Sequence, residues 1–117
     1  MGVQFDRFSI ALLILRPDAP QLGEEAANRL QDAHMSHLAD LHEAGYLLAA
    51  GPLFDDKFRG LTILNVEPER ALALKKQDPA VIAGRFSVTV ISWMVPKGAM
   101  TFSHTRFPRS MSEVEEP

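Results

Sequence analysis

The chain has 117 residues, which predicts a single domain, and its 46% apolar and 23% charged side chains are ordinary for a soluble globular protein. It contains no cysteine, which excludes disulfides, thiol catalysis and cysteine-ligated metal sites. The net charge of −3 gives no electrostatic reason to expect nucleic acid, and no stretch approaches the roughly 20 apolar residues that cross a bilayer. We therefore expect a cytoplasmic protein with neither a nucleic-acid nor a membrane partner.

The first half of the chain predicts a strand, a helix and a hairpin. The run FDRFSIALLILR, from Phe5 to Arg16, is apolar and ends before a proline, so we predict a strand with both faces largely covered. From about Leu22 to Ala44, apolar residues recur at steps of three and four, which predicts a helix that Gly45 ends. YLLAAGPLF and RGLTILNVE are then expected to be two strands joined by the loop DDKF.

The second half predicts another helix and a last strand. Pro68 opens the helix PERALALKKQ, Asp78 and Pro79 break it, and PAVIAG adds one turn before the strand RFSVTVISWMV. The order strand, helix, strand, strand, helix, strand is that of a ferredoxin-like α+β fold, an antiparallel sheet with its helices on one face. The other face needs a cover, and the apolar last strand suggests that a second copy of the chain supplies it.

Residues 1–96 are assigned to this domain and residues 97–117 to a C-terminal extension. The extension loses the periodicity of the domain, but its apolar residues Met100, Phe102 and Phe107 can still dock on a neighbouring surface. The extension could cap a pocket, cross to another subunit or have no role, and the sequence leaves these three possibilities open.

Three of the four histidines, His34, His37 and His42, fall in the predicted long helix. With Leu30 at the centre of the apolar stripe, His37 lies about 20° away, His34 about 40° and His42 about 120°. Each can be a core histidine bonded to a backbone carbonyl, a metal ligand, or an acid–base group. A metal site needs three or four ligands, and no cysteine or second histidine cluster completes that set, so we expect no metal.

An acid–base histidine works near neutral pH when a carboxylate fixes its tautomer. Asp78 is the candidate carboxylate, although an aspartate before a proline is also a common helix N-cap.

Gly51 and Pro52 either turn a strand end or keep the backbone bare for a ligand. Arg59 and Tyr46 are weaker candidates for binding a carboxylate or hydroxyl, and a solvated surface position is the alternative for Arg59. No phosphate-binding glycine motif is present, and we expect no cofactor.

The segments HMSHLADLHEAGYLLAAGP, FRG and DPAVIAG together resemble the YCII-related (YciI-like) family. The family's recurrent histidine, seventeen residues before the glycine of a Gly-Pro pair, falls on His34, and its Asp-Pro falls on Asp78. The resemblance implies a homodimer that forms a dimeric α+β barrel, with a His–Asp centre in a pocket. Enzymes among its relatives act on small ring compounds, one being a dehydrochlorinase of a chlorinated hydroxyhydroquinone. An aromatic residue often follows the family's Asp-Pro, so Ala80 is expected to open or reshape the pocket.

These observations favour a cofactor-independent lyase or isomerase, similar to that dehydrochlorinase, acting on a small cyclic or aromatic-derived substrate. His34 would move a proton while Asp78 orients its ring, and Gly51 and Pro52 would line the wall. The alternative is a non-catalytic small-ligand-binding or accessory dimeric protein on the same scaffold. A cofactorless oxygenase is a third possibility. Whether the chain is an enzyme, and on which substrate, stays open at this point.

Overall fold

The computed structural model describes residues 1–115, so the last two residues of the predicted extension lie outside it. The strands within this range are β1 (Phe5–Leu15), β2 (Leu47–Pro52), β3 (Phe58–Leu64) and β4 (Phe86–Pro96). They form an antiparallel sheet in the order β2-β3-β1-β4. The helices are α1 (Glu24–Glu43), α2 (Pro68–Lys75) and the single turn α3 (Pro79–Ile82), followed in the extension by a short 3-10 turn, Met111–Glu113. The helices pack on one face of the sheet, and the predicted ferredoxin-like α+β fold is confirmed.

Local sequence explains where the helices begin and end. Gly45 adopts a φ of 90°, a conformation that costs glycine little, and its N–H donates to the carbonyl of His42 at 3.0 Å. This glycine therefore ends α1, as predicted. Pro68 is the first residue of α2, where its missing N–H and fixed φ cost nothing. Asp78 caps α3, because its Oδ1 accepts the N–H of Ala80 at 2.9 Å.

The core lies between the sheet and the helices. On β1, Ala11 is fully buried and packs with Leu64 of β3 and Ala71 of α2. A second cluster joins Leu13, on the same face of β1, to residues of α3 and β4. Ser9 is the buried polar residue of this face, and its hydroxyl donates to the carbonyl of Val66 at 2.6 Å. This face of β1 is covered as expected.

The opposite face of β1 is covered only in part. Phe8 is buried there by Trp93 of β4 and by Phe102 of the extension, with ring centroids 6.5 and 5.6 Å away. Ile10 and Leu12, farther along the same face, are half-buried. The prediction that both faces are covered therefore holds only partly for a single copy of the chain. Among the helices of residues 1–115, none has the length and apolar character needed to cross a membrane.

Candidate active site

His34 on α1 and Asp78 at the start of α3 form a hydrogen-bonded pair. The His34 Nδ1 lies 2.6 Å from the Asp78 Oδ2, while the other carboxylate oxygen accepts the N–H of Ala80. Asp78 is fully buried and 12% of the His34 side chain is exposed. Burial acts to raise the pKa of Asp78, but the hydrogen bonds from His34 and Ala80, together with nearby positive charge that includes Lys75, outweigh it and hold this pKa below its ordinary value. The carboxylate therefore stays ionised and keeps the proton of the neutral ring on Nδ1.

The other two histidines of α1 are bonded to backbone carbonyls. His37 Nε2 donates to the carbonyl of Leu74 at 3.2 Å, and burial lowers the pKa of His37 although the charge of Asp78 opposes that shift. The two ring nitrogens of His42 each lie 2.8 Å from a carbonyl oxygen, those of Leu47 and Thr105. Both therefore fit the description of a core histidine bonded to a backbone carbonyl, rather than that of a metal ligand or an acid–base group. Within residues 1–115, no group of three or more histidine, aspartate or glutamate side chains is arranged to hold a metal ion.

His34 lines a cavity of about 630 Å³ between α1, the sheet and the extension. Much of the wall is apolar and comes from Leu13, Met35, Leu38, Leu53, Phe54, Leu61 and Phe86. Two arginines, Arg59 and Arg85, also line it, and no carboxylate does so among the described residues. A cavity with apolar walls, two guanidinium groups and a histidine suits a small, partly apolar and negatively charged molecule.

The structure brings most of the predicted binding residues to this cavity. Gly51, Pro52 and Arg59 line it, and a Cβ built on Gly51 would meet no atom within 4 Å, so this stretch of backbone is open to a ligand. Tyr46 does not line it, because its hydroxyl lies near the other end of β2 and accepts a hydrogen bond from Arg70 at 3.0 Å. Ala80 lies behind the cavity, buried against Leu13 and Phe86, and is not part of its wall.

A second depression, of about 660 Å³, lies beside the loop that follows β1. Its wall includes Arg16 and Arg85 but no histidine, aspartate or glutamate among the described residues. It has no pair of groups that can exchange a proton, and we assign the site to the cavity that contains His34.

A family model for the YCII-related domain matches residues 10–94, which is most of the chain. The chain belongs to the YCII-related family. Its structure is similar to that of the 5-chloro-2-hydroxyhydroquinone dehydrochlorinase from Burkholderia phenoliruptrix AC1100, solved in complex with 2,5-dihydroxybenzoquinone. The two chains are 19% identical, with a TM-score of 0.56, and the match covers 74% of this chain and 92% of the other. At this identity the likeness shows a shared fold. No curated protein matches the chain.

In this YCII-related protein, the C-terminal extension forms part of the cavity wall although it lies outside the matched residues. Phe107, Pro108, Met111 and Val114 line the cavity. In the described residues the extension caps the pocket, because it covers one side of the site that contains His34.

The extension is fastened to α1 at three places. The ring of His42 stacks on Phe107 and on His104, with centroids 4.0 and 4.8 Å away. Arg109 donates to Asp40 at 2.8 Å and also contacts Ser36 and Glu43. Nearer the start of the helix, the N–H of Met111 donates to Asp32 at 2.8 Å. Because α1 also holds His34, this helix connects the outer wall of the cavity to the His34–Asp78 pair.

Two residues of the site were missed by sequence reasoning. Arg85 follows Gly84 at the entry to β4 and lines the cavity, but a lone arginine at a strand end carries no distinguishing pattern. Lys75 lies 3.9 Å from the Oδ2 of Asp78 and is fully buried. A signal for Lys75 was present, because it follows the buried Ala71 by four residues and so shares its helix face.

Proposed function

We propose that this chain is a cofactor-independent lyase that eliminates a small leaving group, such as chloride, from a hydroxylated ring. The observation that carries the proposal is the pairing of His34 with the buried Asp78 at the wall of a cavity that also holds two arginines. The fold shared with a dehydrochlorinase of a chlorinated hydroxyhydroquinone supports it.

In the proposed mechanism His34 is the base. Asp78 accepts the Nδ1 proton, so the lone pair of the neutral ring is on Nε2, and no hydrogen bond to that nitrogen is formed among residues 1–115. Nε2 takes a proton from a ring hydroxyl, and the ionised carboxylate stabilises the imidazolium that forms. The imidazolium returns this proton to the chlorine-bearing carbon, so that the neighbouring oxygen becomes a carbonyl and the carbon carries both hydrogen and chlorine. Nε2 then takes the proton of a second ring hydroxyl, and the electron pair of that oxyanion forms a second carbonyl and the ring double bond as chloride leaves with the electrons of the carbon–chlorine bond. The ring reaches the quinone level by this loss of hydrogen chloride alone, so no external oxidant is consumed.

The arginines of the cavity have a separate part in the proposal. A ring hydroxyl that loses its proton becomes an oxyanion, and the guanidinium groups of Arg59 and Arg85 are the cationic groups that line the cavity. Pro52 has no N–H, and the N–H of Leu53 donates to the carbonyl of Arg59 at 3.0 Å, so these two backbone positions offer no donor. The side chain of Arg59 is therefore assigned to oxyanion binding, and Gly51 to close approach of the ring.

The experiment is chloride release from 5-chloro-2-hydroxyhydroquinone, followed with a chloride electrode and by quinone absorbance. His34→Asn is expected to lower kcat by about 10²–10⁴-fold, the usual contribution of a general base. Tyr46→Phe is the matched control, because it changes one ring residue outside the cavity, and it should keep wild-type turnover. Turnover that survives His34→Asn would overturn the mechanism. Tight binding of 2,5-dihydroxybenzoquinone with no turnover of any chlorinated ring would favour the non-catalytic ligand-binding alternative.

We also propose that the chain forms a homodimer through the face of the sheet that bears no helices. Ile91 of β4 pairs with Ile10 of β1 on that face, and Ile91 is 50% exposed in a single copy. Apolar residues in such a position are stabilised when a second sheet covers them. Light scattering is expected to give a dimer mass, and Ile91→Lys is expected to give a monomer. A monomer in the wild-type protein at micromolar concentration would rule this pairing out.

A further inference from the structure

Lys75 at the end of α2 is an unusual residue for its surroundings. Its side chain is fully buried, and its Nζ is the one buried side-chain nitrogen or oxygen in the described part of the chain with no hydrogen-bond partner. Burying an amine in this way is costly unless a charge nearby compensates it. Lys75 does not line the cavity, so it does not touch a molecule bound there. If Lys75 affects the site, it does so through a neighbouring group that is part of the site.

The group it faces is the carboxylate of the acid–base pair. The Nζ lies 3.9 Å from the Asp78 Oδ2, which is also the oxygen that the Nδ1 of His34 contacts at 2.6 Å. His37 on α1 also feels the charges of this cluster. On the other side of His34, the guanidinium groups of Arg59 and Arg85 line the same cavity. One carboxylate therefore faces three groups that can carry a positive charge. Because uncompensated charge is disfavoured in a buried site, Asp78 balances one of them at a time.

We propose that Lys75 is a positioning residue, whose ammonium balances Asp78 from behind and thereby keeps the His34 ring neutral and able to take a proton. With Asp78 already balanced, a second positive charge on His34 gains less from the carboxylate and is repelled by the ammonium. Without the ammonium, the whole charge of Asp78 would favour the imidazolium, which cannot act as a base. This role rests on the function proposed above, because it matters only if His34 accepts a proton.

Burial lowers the pKa of Lys75 from 10.5 to about 8, although the charge of Asp78 opposes that shift. The amine therefore keeps its proton at neutral pH, where it balances the carboxylate. Above about pH 8 the amine loses that proton, and the ammonium then no longer balances the charge of Asp78 beside His34.

The test is an NMR titration of the histidine ring signals in the wild type, Lys75→Met and Lys76→Met. Lys75→Met removes the buried charge with little change in volume, and the midpoint of the His34 signals is expected to rise by about one pH unit. Lys76→Met removes the same charge from the neighbouring exposed position and should leave that midpoint in place. A midpoint that stays or falls in Lys75→Met would overturn the proposal.

The wild-type protein supplies a second test that needs no variant. The His34 ring signals are expected to show a further inflection near pH 8, at the same pH as the Cε signals of Lys75 titrate. Titration of Lys75 with no response at His34 would overturn the proposal even if Lys75→Met did not fold. The outcome is independent of turnover. Coupled signals without chloride release would contradict the proposed function alone, and turnover with an unchanged pH profile in Lys75→Met would contradict the role of Lys75 alone.

Discussion

His34 and Asp78 are separated by 44 residues in the sequence, yet the Nδ1 of one lies 2.6 Å from the Oδ2 of the other. Two different elements produce this contact. The helix α1 projects His34 toward the sheet, and Asp78 is held at the start of α3 because its other oxygen caps that helix. The Asp78 carboxylate therefore caps α3 and, in the proposed mechanism, also orients His34. Different substitutions can test these two roles separately.

Asp78→Asn is expected to destabilise the protein at pH 7 by about 3–5 kcal/mol, because it leaves the buried ammonium of Lys75 without a counter-charge. Adding Lys75→Met to the same chain is expected to stabilise it by more than Lys75→Met stabilises the wild type, because in the Asp78→Asn background it removes an ammonium with no counter-charge. Urea unfolding of the two single variants and the double variant measures the coupling. Simple addition of the two single effects would show that the charges do not interact.

Lys75→Met alone is expected to change how stability depends on pH. The folded state lowers the pKa of Lys75 to about 8, so between about pH 8 and 10.5 the unfolded chain binds more protons than the folded one. The stability contributed by this group therefore rises with pH in that window. At pH 7 the variant is expected to be the more stable protein by about 1–3 kcal/mol, and this advantage should shrink by pH 10. Denaturation at pH 7, 8.5 and 10 checks the sign, and a constant difference would contradict it.

Gly51→Ala is expected to obstruct the cavity without harming the fold. The added methyl group would meet no atom within 4 Å, so stability should stay level or rise by up to about 1 kcal/mol. Binding of 2,5-dihydroxybenzoquinone, measured by calorimetry, should weaken because the methyl group enters the space that the ring requires. Gly23→Ala is the control, since it adds the same methyl group in open space away from the cavity. Equal affinity in both variants would place the ring elsewhere.

Arg109→Ala is expected to loosen the extension while leaving the domain intact. Its contacts with Asp40 and Glu43 are partly exposed, so their loss should change global stability little. The amide of Met111, which donates to Asp32, should nevertheless exchange with solvent faster. Arg106→Ala provides the comparison, because Arg106 pairs with Glu113 inside the extension itself. An unchanged Met111 exchange rate would mean that the other two fastenings suffice.

The fold was accessible from the sequence because it depends on local pattern, whereas the pairing of His34 with Asp78 was expected from the resemblance to the YCII-related family. The element order, Gly45 and Pro68 could be predicted from periodicity and from the special conformations of glycine and proline. The helical wheel was less informative about the histidines. His37 lies nearest the centre of the apolar stripe, but His34 is the one that reaches Asp78, because the position of α3 decides the contact.

The parts that could not be predicted depend on contacts between distant segments. The helical wheel places His42 about 120° from the centre of the apolar stripe, yet its side chain is only 6% exposed, because the extension folds back and Thr105 and Phe107 cover it. Lys75 stands beside an equally charged neighbour in the sequence, and lysine is almost never fully buried. The spacing of Lys75 from Ala71 and from Asp78 is a local signal, but the full burial of Lys75 results from the packing of α2 against β1 and β4.

The matched family domain ends at residue 94, whereas Phe107, Met111 and Val114 form one side of the cavity. Two relatives could therefore share the His34–Asp78 pair and the entire matched domain and still admit ligands of different size, if the segments that follow the domain differ. In such a family, the size of the bound ligand can diverge without any change in the matched domain.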